Sequence, residues 1–418
     1  MKRVVITGMG AVTPLGNDLP TYWDGLISGK NGIDFLTRFD PGDYKAKLAA
    51  EVKGFDPLLY MDKAEIKKSD LFTQYAVAAA SQAVEESGIL GTVADERLAV
   101  YFGSGIGGIG TIETEIEKLR ERGPRRVSPY CVPMMIINMA AGTVAIHFNA
   151  KGPCVPTVTA CATGSNAIGE AYRLIRHGYA DAAIAGGAEA SVTSISIAAF
   201  ISCMALSSSE DPNGASLPFD RRRNGFVMGE GAGALILEEY EHARERGAKI
   251  YAEVSGYGST CDAFHITAPH PQAEGAARAI SQAVEEACAL AGSREFALDG
   301  GIYINAHGTG TILNDKAETL AIKRALGERA KTAMISSTKS MTGHMLGAAG
   351  AAEAIAAVKA LTEGIIPPTI NLLEPDPECD LDYVPLTARK AQTSLALSVS
   401  LGFGGHNACL AFSKVKEA

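Results

Sequence analysis

No CxxC pair occurs among the eight cysteines, Cys131, Cys154, Cys161, Cys203, Cys261, Cys288, Cys379 and Cys409. A structural zinc site is therefore not expected. No run approaches about 18 uninterrupted apolar residues, so no membrane span is expected either. The opening "MKRVVITGMG" is basic at its start, but its apolar run is too short for a secretory signal. A basic excess is also lacking. The net charge is −9, which gives no general reason to expect nucleic acid, and an anionic partner would need a local basic patch. Scattered thiols without a signal segment point to a reducing cytoplasm.

What is present is a chain of 418 residues, 47% hydrophobic and 20% charged, as in a soluble globular protein. That length suffices for two domain-sized units or one large two-part core. "RVVIT" reads as a buried strand followed by glycine and proline punctuation. "LFTQYAVAAASQAVEESG" reads as a helix ended by Gly88, and "LAVYFGSG", "AAIAGGAEA" and "GAGALILEEY" as strands. The second half continues with the strand "IYAEVSGYGS", a helix in "AEGAARAISQAVEEACALAG", and the strands "IYINAHGTG" and "TAMISST". A helix in "GAAGAAEAIAAVKALTEG" and two strands joined by a glycine turn in "SLALSVSLGFGGHNACLAFSK" complete it. Strands interleaved with helices argue for an α/β architecture. A faint repeat pairs "CATGSNAIGEAYRLI" with "SMTGHMLGAAGAAEAI", setting Thr163-Gly164 against Thr342-Gly343. A duplicated fold follows, divided near residue 250 into 1–250 and 251–418.

Three segments can carry chemistry. In "VTACATGSNAIG", Cys161 falls where a strand-like run gives way to a helix. It could be core filler, because cysteine packs as a small hydrophobe. It could equally be a nucleophile, because a helix N-terminus favours thiolate and its N–H groups can hold an oxyanion. In "NAHGTGTILND", His307 follows an apolar strand, at the end that commonly borders a ligand crevice. Gly308 and Gly310 suggest close backbone approach, and Thr309 and Thr311 add hydroxyls. The third, "SSTKSMTGHMLGAAGAAEA", holds Lys339, His344 and Glu353 at another strand-to-helix change. Cysteine with histidine makes an acyl thioester readily, and a second histidine implies more than hydrolysis.

Two rival chemistries find less support. "GMGAVTPLG" and "GSGIGGIG" are glycine-rich after strands, but Pro14 interrupts the first, and no ribose-binding acid follows either in a βαβ unit. Ser336 to Lys339 spells SxxK, yet such a serine should open a helix, and here it lies in strand-like "MISSTK".

Taken together the segments resemble the β-ketoacyl-[acyl-carrier-protein] synthases of the thiolase fold, the condensing enzymes of fatty-acid synthesis. The resemblance covers nearly the whole chain, through "VVITGMGAVTPLG", "GSGIGG", "GPRRVSP", "TACATGSNAIG", "PFDRRRNGFVMGEGAG", "DAFHIT", "NAHGTGT", "STKSMTGHMLGAAGAAE", "PPTINL" and "GFGGHN". In length and motif form it is most similar to the synthase II type of bacterial type II systems. The resemblance implies a thiolase-like duplicated fold, two similar halves with layered helices and mixed sheets. It implies decarboxylative condensation of malonyl-acyl-carrier protein with an acyl chain on Cys161, promoted by His307 and His344. Backbone N–H groups of Cys161 and Phe403 would form the oxyanion hole, with the Phe403 ring as a gate. Lys339 would orient and polarise the centre, with Glu353 supporting it or a monovalent cation. Thr309 and Thr311 would bind the phosphopantetheine arm that arrives on acyl-carrier protein, and no resident cofactor is required. Lys67, Lys68, Arg125 and Arg126 match positions facing that acidic partner, and the family implies a homodimer.

Two departures stand out. Where the family often has Asn-Ser-Phe, this chain has Val399-Ser400-Leu401, at the implied cation site. Met204 occupies a place where an arginine can contact the carrier protein. A non-catalytic chain-length-factor subunit would be expected to lose the cysteine, which is present here. Synthase I or a polyketide ketosynthase would share the chemistry and differ in acyl chain. Pocket depth would then rest on residues around Ile109 and Met134 and on the dimer contact.

Overall fold

Nine consecutive buried residues make Val4–Val12 (β1) a strand covered on both faces. It runs well past "RVVIT", through the glycines expected to end it. The reason is a helix, Leu71–Ser87 (α1), lying across it. A Cβ on Gly8 would sit 2.2 Å from the Ala83 carbonyl oxygen, and one on Gly10 2.1 Å from that of Ala79. These glycines are strand interior made bare so that a helix can approach. They form no phosphate-binding loop.

A computed structural model of the chain describes residues 1–293 and 298–415. Within the expected half 251–418, residues 294–297 and 416–418 thus lie outside the described residues. The further strands of the main sheet are Leu98–Gly103 (β2), Cys154–Val155 (β3), Ala182–Glu189 (β4), Gly231–Glu239 (β5), Ala252–Cys261 (β6), Ile302–Asn305 (β7), Met334–Ser336 (β8), Leu395–Gly402 (β9) and His406–Ser413 (β10). They form one mixed sheet in the order β8-β7-β9-β10-β6-β1-β5-β4-β2-β3. Each half repeats one plan. Its third, second and fourth strands run parallel, and its fourth, fifth and first antiparallel. The halves join through antiparallel β1 and β6.

Helices Thr163–Arg176 (α2) and Ala349–Glu363 (α5) pack together in the middle, and each touches strands of both halves. Helix α5 is alanine-rich and buried nearly all round, as a helix enclosed on every side must be. Strand side chains alternate to serve two cores. Leu235 and Leu237 of β5 face the central helices, while Ala232, Ala234 and Ile236 face the core under α1. Helices Glu274–Ala291 (α3) and Ile312–Leu326 (α4) cover the outer face of the second half, against Ile302 and Ile304.

The repeat is real in topology, but its register is not the one the Thr-Gly match suggested. Single tight turns, Ala160–Ala162 and Leu346–Ala348, lead directly into α2 and α5. Both open on a residue with positive φ, Ala160 at 49° and Leu346 at 47°. The equivalent glycines are Gly164 and Gly350. A Cβ on Gly164 would lie 2.6 Å from the Ala351 nitrogen, and one on Gly350 2.7 Å from that of Ser165. The two helices therefore cross at a symmetric pair of glycines. Thr342 and Gly343 belong to an earlier short helix and its end. Among the described residues no helix is long and apolar enough to cross a membrane.

Candidate active site

Cys161 does not directly follow a strand. The nearest, β3, is two residues long and ends at Val155. The thiol instead sits in the tight turn before α2, behind the left-handed Ala160, a conformation costing an alanine about 1 kcal/mol or more. Side-chain bonds hold that turn. Thr163 Oγ1 accepts the Thr159 N–H at 2.9 Å, and Thr159 Oγ1 donates to Asn166 at 2.7 Å. Asn166 donates in turn to the buried Tyr257 hydroxyl at 2.6 Å. Gly402 lets β9 approach, since a Cβ there would lie 3.3 Å from the Cys161 nitrogen. That approach brings the Phe403 N–H to the Cys161 sulfur.

The expected thiolate at the helix start is not the resting form. Burial pushes the Cys161 thiol up to about 12, with Glu189 and Glu353 adding to the rise; Lys339 and the Phe403 N–H oppose it. Desolvation outweighs the helix terminus here.

Strand β7 ends at Asn305 and delivers His307, whose own N–H and that of Gly308 are both taken by the buried Glu318 carboxylate at 2.6 and 2.7 Å. Burial pushes Glu318 up to about 7 against those two N–H groups. His344 lies between the short helix Lys339–Thr342 and the turn before α5. The two rings are perpendicular, with centroids 5.2 Å apart. Nδ1 of His344 accepts the Leu346 N–H at 3.3 Å. Nδ1 of His307 faces the Lys339 ammonium, a donor, at 3.4 Å. Both rings therefore keep their proton on Nε2. Burial holds both well below the usual histidine range, and the Lys339 charge adds to this, so both are neutral at pH 7. Lys339 also ion-pairs with Glu353 of α5, which burial raises and Lys339 lowers.

One cavity of about 350 Å³ is lined by Cys161, His307, His344, Thr309, Thr311 and Phe403 among others. Thr309 and Thr311 hydroxyls lie 3.0 Å apart on its wall. Phe200 packs beside the Phe403 ring, 6.3 Å between centroids. Met204 stands at the rim, 90% exposed.

The family model for the β-ketoacyl synthase N-terminal domain matches residues 1–243, and that for the C-terminal domain residues 251–373. The chain belongs to the β-ketoacyl synthase family. It is 52% identical over 415 residues to the 3-oxoacyl-[acyl-carrier-protein] synthase 2 of Synechocystis sp., covering 99% of this chain and 98% of that protein. It is 50% identical over 414 residues to the protein of the same name from Staphylococcus aureus strain COL, with the same 99% and 98% coverage. A β-ketoacyl synthase crystal structure from Burkholderia phymatum STM815 superposes with a TM-score of 0.91 at 37% identity, covering all of both chains. A ketosynthase solved in complex with its type II polyketide acyl-carrier protein superposes with a TM-score of 0.90 at 33% identity, over 99% of this chain and all of that one. The thiolase-like fold is that of these ketosynthases.

Lys67, Lys68, Arg125 and Arg126 are exposed, and none lines the cavity of this β-ketoacyl synthase. Lys68 lies over the Tyr130 ring at 5.5 Å, which brings the segments carrying the two basic pairs together. Ile109 and Met134 do not line the cavity either.

Three carboxylates escaped the sequence reading. Glu318 lies eleven residues after His307. Asp315 takes the Gly310 and Phe219 N–H groups at 3.2 and 2.8 Å, and with Arg223, which donates to the Thr311 and Ile312 carbonyls, it fixes the threonine loop. Their spacing from His307, on one inward face of α4, was the available signal. Glu189 ends an otherwise apolar buried strand, an unusual place for a lone acid.

Three buried oxygens without partners are of the kind that suits a hard cation. Glu353 Oε2, Asn305 Oδ1 and Ser398 Oγ are buried without a hydrogen-bond partner, and Ser398 lies opposite Asn305 in register. Val399 has no side-chain oxygen to add, and its side chain packs in the core under α3 and α4.

Proposed function

We propose that this β-ketoacyl synthase elongates fatty acyl chains by two carbons, condensing an acyl group on Cys161 with malonyl-acyl-carrier protein to give 3-oxoacyl-acyl-carrier protein. The observation that carries the reading is the cavity that one thiol and two neutral imidazoles share. Cys161 Sγ attacks the incoming thioester carbonyl, and its proton leaves with the pantetheine thiol. The N–H groups of Cys161 and Phe403 hold the tetrahedral oxyanion. Malonyl then enters and its C–C bond breaks, releasing CO2. The electron pair spreads onto the thioester oxygen, where the Nε2–H groups of His307 and His344 meet it. Each such donor contributes about 3 kcal/mol. The carbanion attacks the acyl–Cys161 carbonyl, the C–S bond breaks, and the departing Cys161 thiolate takes up a proton from solvent, the one proton that the condensation consumes. Neutral rings suit this role, since they donate without surrendering the proton.

Lys339 holds the His307 tautomer, and Glu353 holds Lys339. Thr309 and Thr311 bind the pantetheine arm. Glu353, Asn305 and Ser398 would hold a monovalent cation, which would supply charge balance behind the site. The acyl-carrier protein docks by Lys67, Lys68, Arg125 and Arg126, a steering that salt weakens. The polyketide neighbour solved with its carrier protein supports such a partner. The chain works as a cytoplasmic homodimer, divided at about residue 250. Its edge strand β3 is open, and Val155 and Val158 beside it are exposed, a surface a second copy would cover. Fatty-acid rather than polyketide extension is favoured by the 52% and 50% identity to synthase 2 relatives.

The test offers acyl-carrier proteins of graded chain length with malonyl-acyl-carrier protein and follows products by mass spectrometry. A 3-oxoacyl product two carbons longer is expected. No extension at any length overturns the reading.

A further inference from the structure

We propose that Glu189 is the positioning residue that sets the proton of His344, acting through a turn of the second half that packs against the first. The inference rests on the condensing role of His344 above. Glu189 ends β4 in the first half, while the turn Leu346–Ala348 belongs to the second. The buried carboxylate gathers five donors. Its Oε2 accepts the Gly105 N–H at 2.8 Å and the Gly347 N–H at 3.0 Å. Its Oε1 accepts the Ser104 and Ser191 hydroxyls, both at 2.9 Å, and the Ile106 N–H at 3.3 Å. Four of the five come from the first half and one, Gly347, from the second.

Gly347 has little freedom beyond this bond. A Cβ on it would lie 2.3 Å from the Gly105 nitrogen, and one on Gly187 would lie 2.3 Å from the Gly347 carbonyl oxygen. The halves meet at bare backbone with one carboxylate as the bridge. The residue before Gly347 is Leu346, which is held at positive φ and whose N–H is the donor to His344 Nδ1. A leucine does not hold that conformation unaided, since it costs about 1–2 kcal/mol. Anchoring the next N–H to Glu189 keeps the turn wound, the Leu346 N–H on Nδ1, and the ring proton on Nε2. Cys161 occupies the equivalent turn of the other half, which has its own supports in Thr163 and Asn166. The carboxylate thus positions the histidine turn, while its charge also raises the Cys161 thiol, an effect that Glu189→Asp keeps and Glu189→Gln removes.

Reach and charge can be separated. Glu189→Asp keeps the charge but falls about 1.5 Å short of Gly347. Glu189→Gln keeps the reach; its carbonyl can serve Gly105 and Gly347 while its amide donates to the Ser104 and Ser191 hydroxyls, which turn to accept, and only the longer bond from the Ile106 N–H is lost. Two readouts apply to the full-length protein. Nitrogen-15 NMR of labelled histidines, assigned by the signal lost in His344→Asn, reports the tautomer without any activity. Wild type should show His344 as Nε2–H alone, Glu189→Asp a mixture of tautomers, and Glu189→Gln a retained Nε2–H. Labelled-CO2 release from malonyl-acyl-carrier protein should fall at least tenfold in Glu189→Asp and about threefold in Glu189→Gln, with acylation of Cys161 within threefold of wild type in both. Equal loss of acylation and decarboxylation would overturn the proposal, as would an unchanged His344 tautomer in folded Glu189→Asp. An unfolded Glu189→Asp with a folded Glu189→Gln that has lost the Nε2–H signal would also overturn it. A wild type with the expected tautomer but no condensation would sink the functional reading alone.

Discussion

The Lys339 ammonium bridges two groups of opposite character, Nδ1 of His307 at 3.4 Å and the Glu353 carboxylate, with all three side chains buried. A cation facing Nδ1 forbids a proton there and disfavours an imidazolium. The carboxylate behind it keeps the cation in place. Electrostatics thus fix both the charge and the tautomer of the ring that faces the cavity.

Neither histidine should therefore gain a proton between pH 6 and pH 8; a step in decarboxylation near pH 7 belongs to the buried carboxyls behind them, Glu318 and Glu353, both pushed up to about 7. Both histidines titrate well below the usual 6.5, so neither gains a proton across that window. The same shift carries a stability cost in acid. Unfolded chains bind these protons first, so the two histidines' contribution to native stability is full above about pH 6.5 and falls as pH drops below it. Nitrogen-15 shifts of the two histidines followed against pH check the first point; titration of either ring near 6.5 would contradict it.

Alkylation of Cys161 should keep rising with pH beyond that of an ordinary thiol. With the group pushed up to about 12, iodoacetamide labelling should gain about tenfold per pH unit through pH 10. Peptide-resolved mass spectrometry reads it, and a plateau by pH 9 would show a preformed thiolate. Cys161→Ala should leave no acyl adduct after incubation with acyl-carrier protein, and an undiminished adduct refutes its role.

His307→Ala and His344→Ala should each slow CO2 release by about 10²–10³-fold, the loss of one donor to a developing oxyanion. Acylation of Cys161 should suffer far less, because its oxyanion is met by backbone N–H groups. Release at the wild-type rate in both variants rejects the assignment.

Gly10→Ala should destabilise the fold by about 2–3 kcal/mol or more, since its Cβ would lie 2.1 Å from the Ala79 carbonyl oxygen. Denaturant midpoints measure this. A midpoint equal to wild type would mean that α1 can lift off β1 without cost.

Much of the site was legible in the sequence because its parts sit where elements change. His307 follows a strand of four residues, and Lys339 and His344 lie between a strand and a long helix. Glu318 and Asp315 were missed because helical spacing marks an inward face without naming what it meets. The glycines of β1 were misjudged for a related reason. Composition marks a bare backbone, but not whether a turn or a helix requires it.

The sequence by itself determined the alternation of strands and helices, the duplicated plan, and the residue types that can perform acyl transfer, because these follow from local periodicity and side-chain chemistry. Only the tertiary structure decided the protonation of those residues and the register of the repeat. Burial raised the Cys161 thiol where the helix start alone would have lowered it. A contact from a distant segment, Lys339 on His307, and a local one, Leu346 on His344, in a turn that the distant Glu189 anchors, chose which nitrogen carries the proton. Desolvation and long-range hydrogen bonds depend on what lies across the fold, and no stretch of neighbouring residues records that.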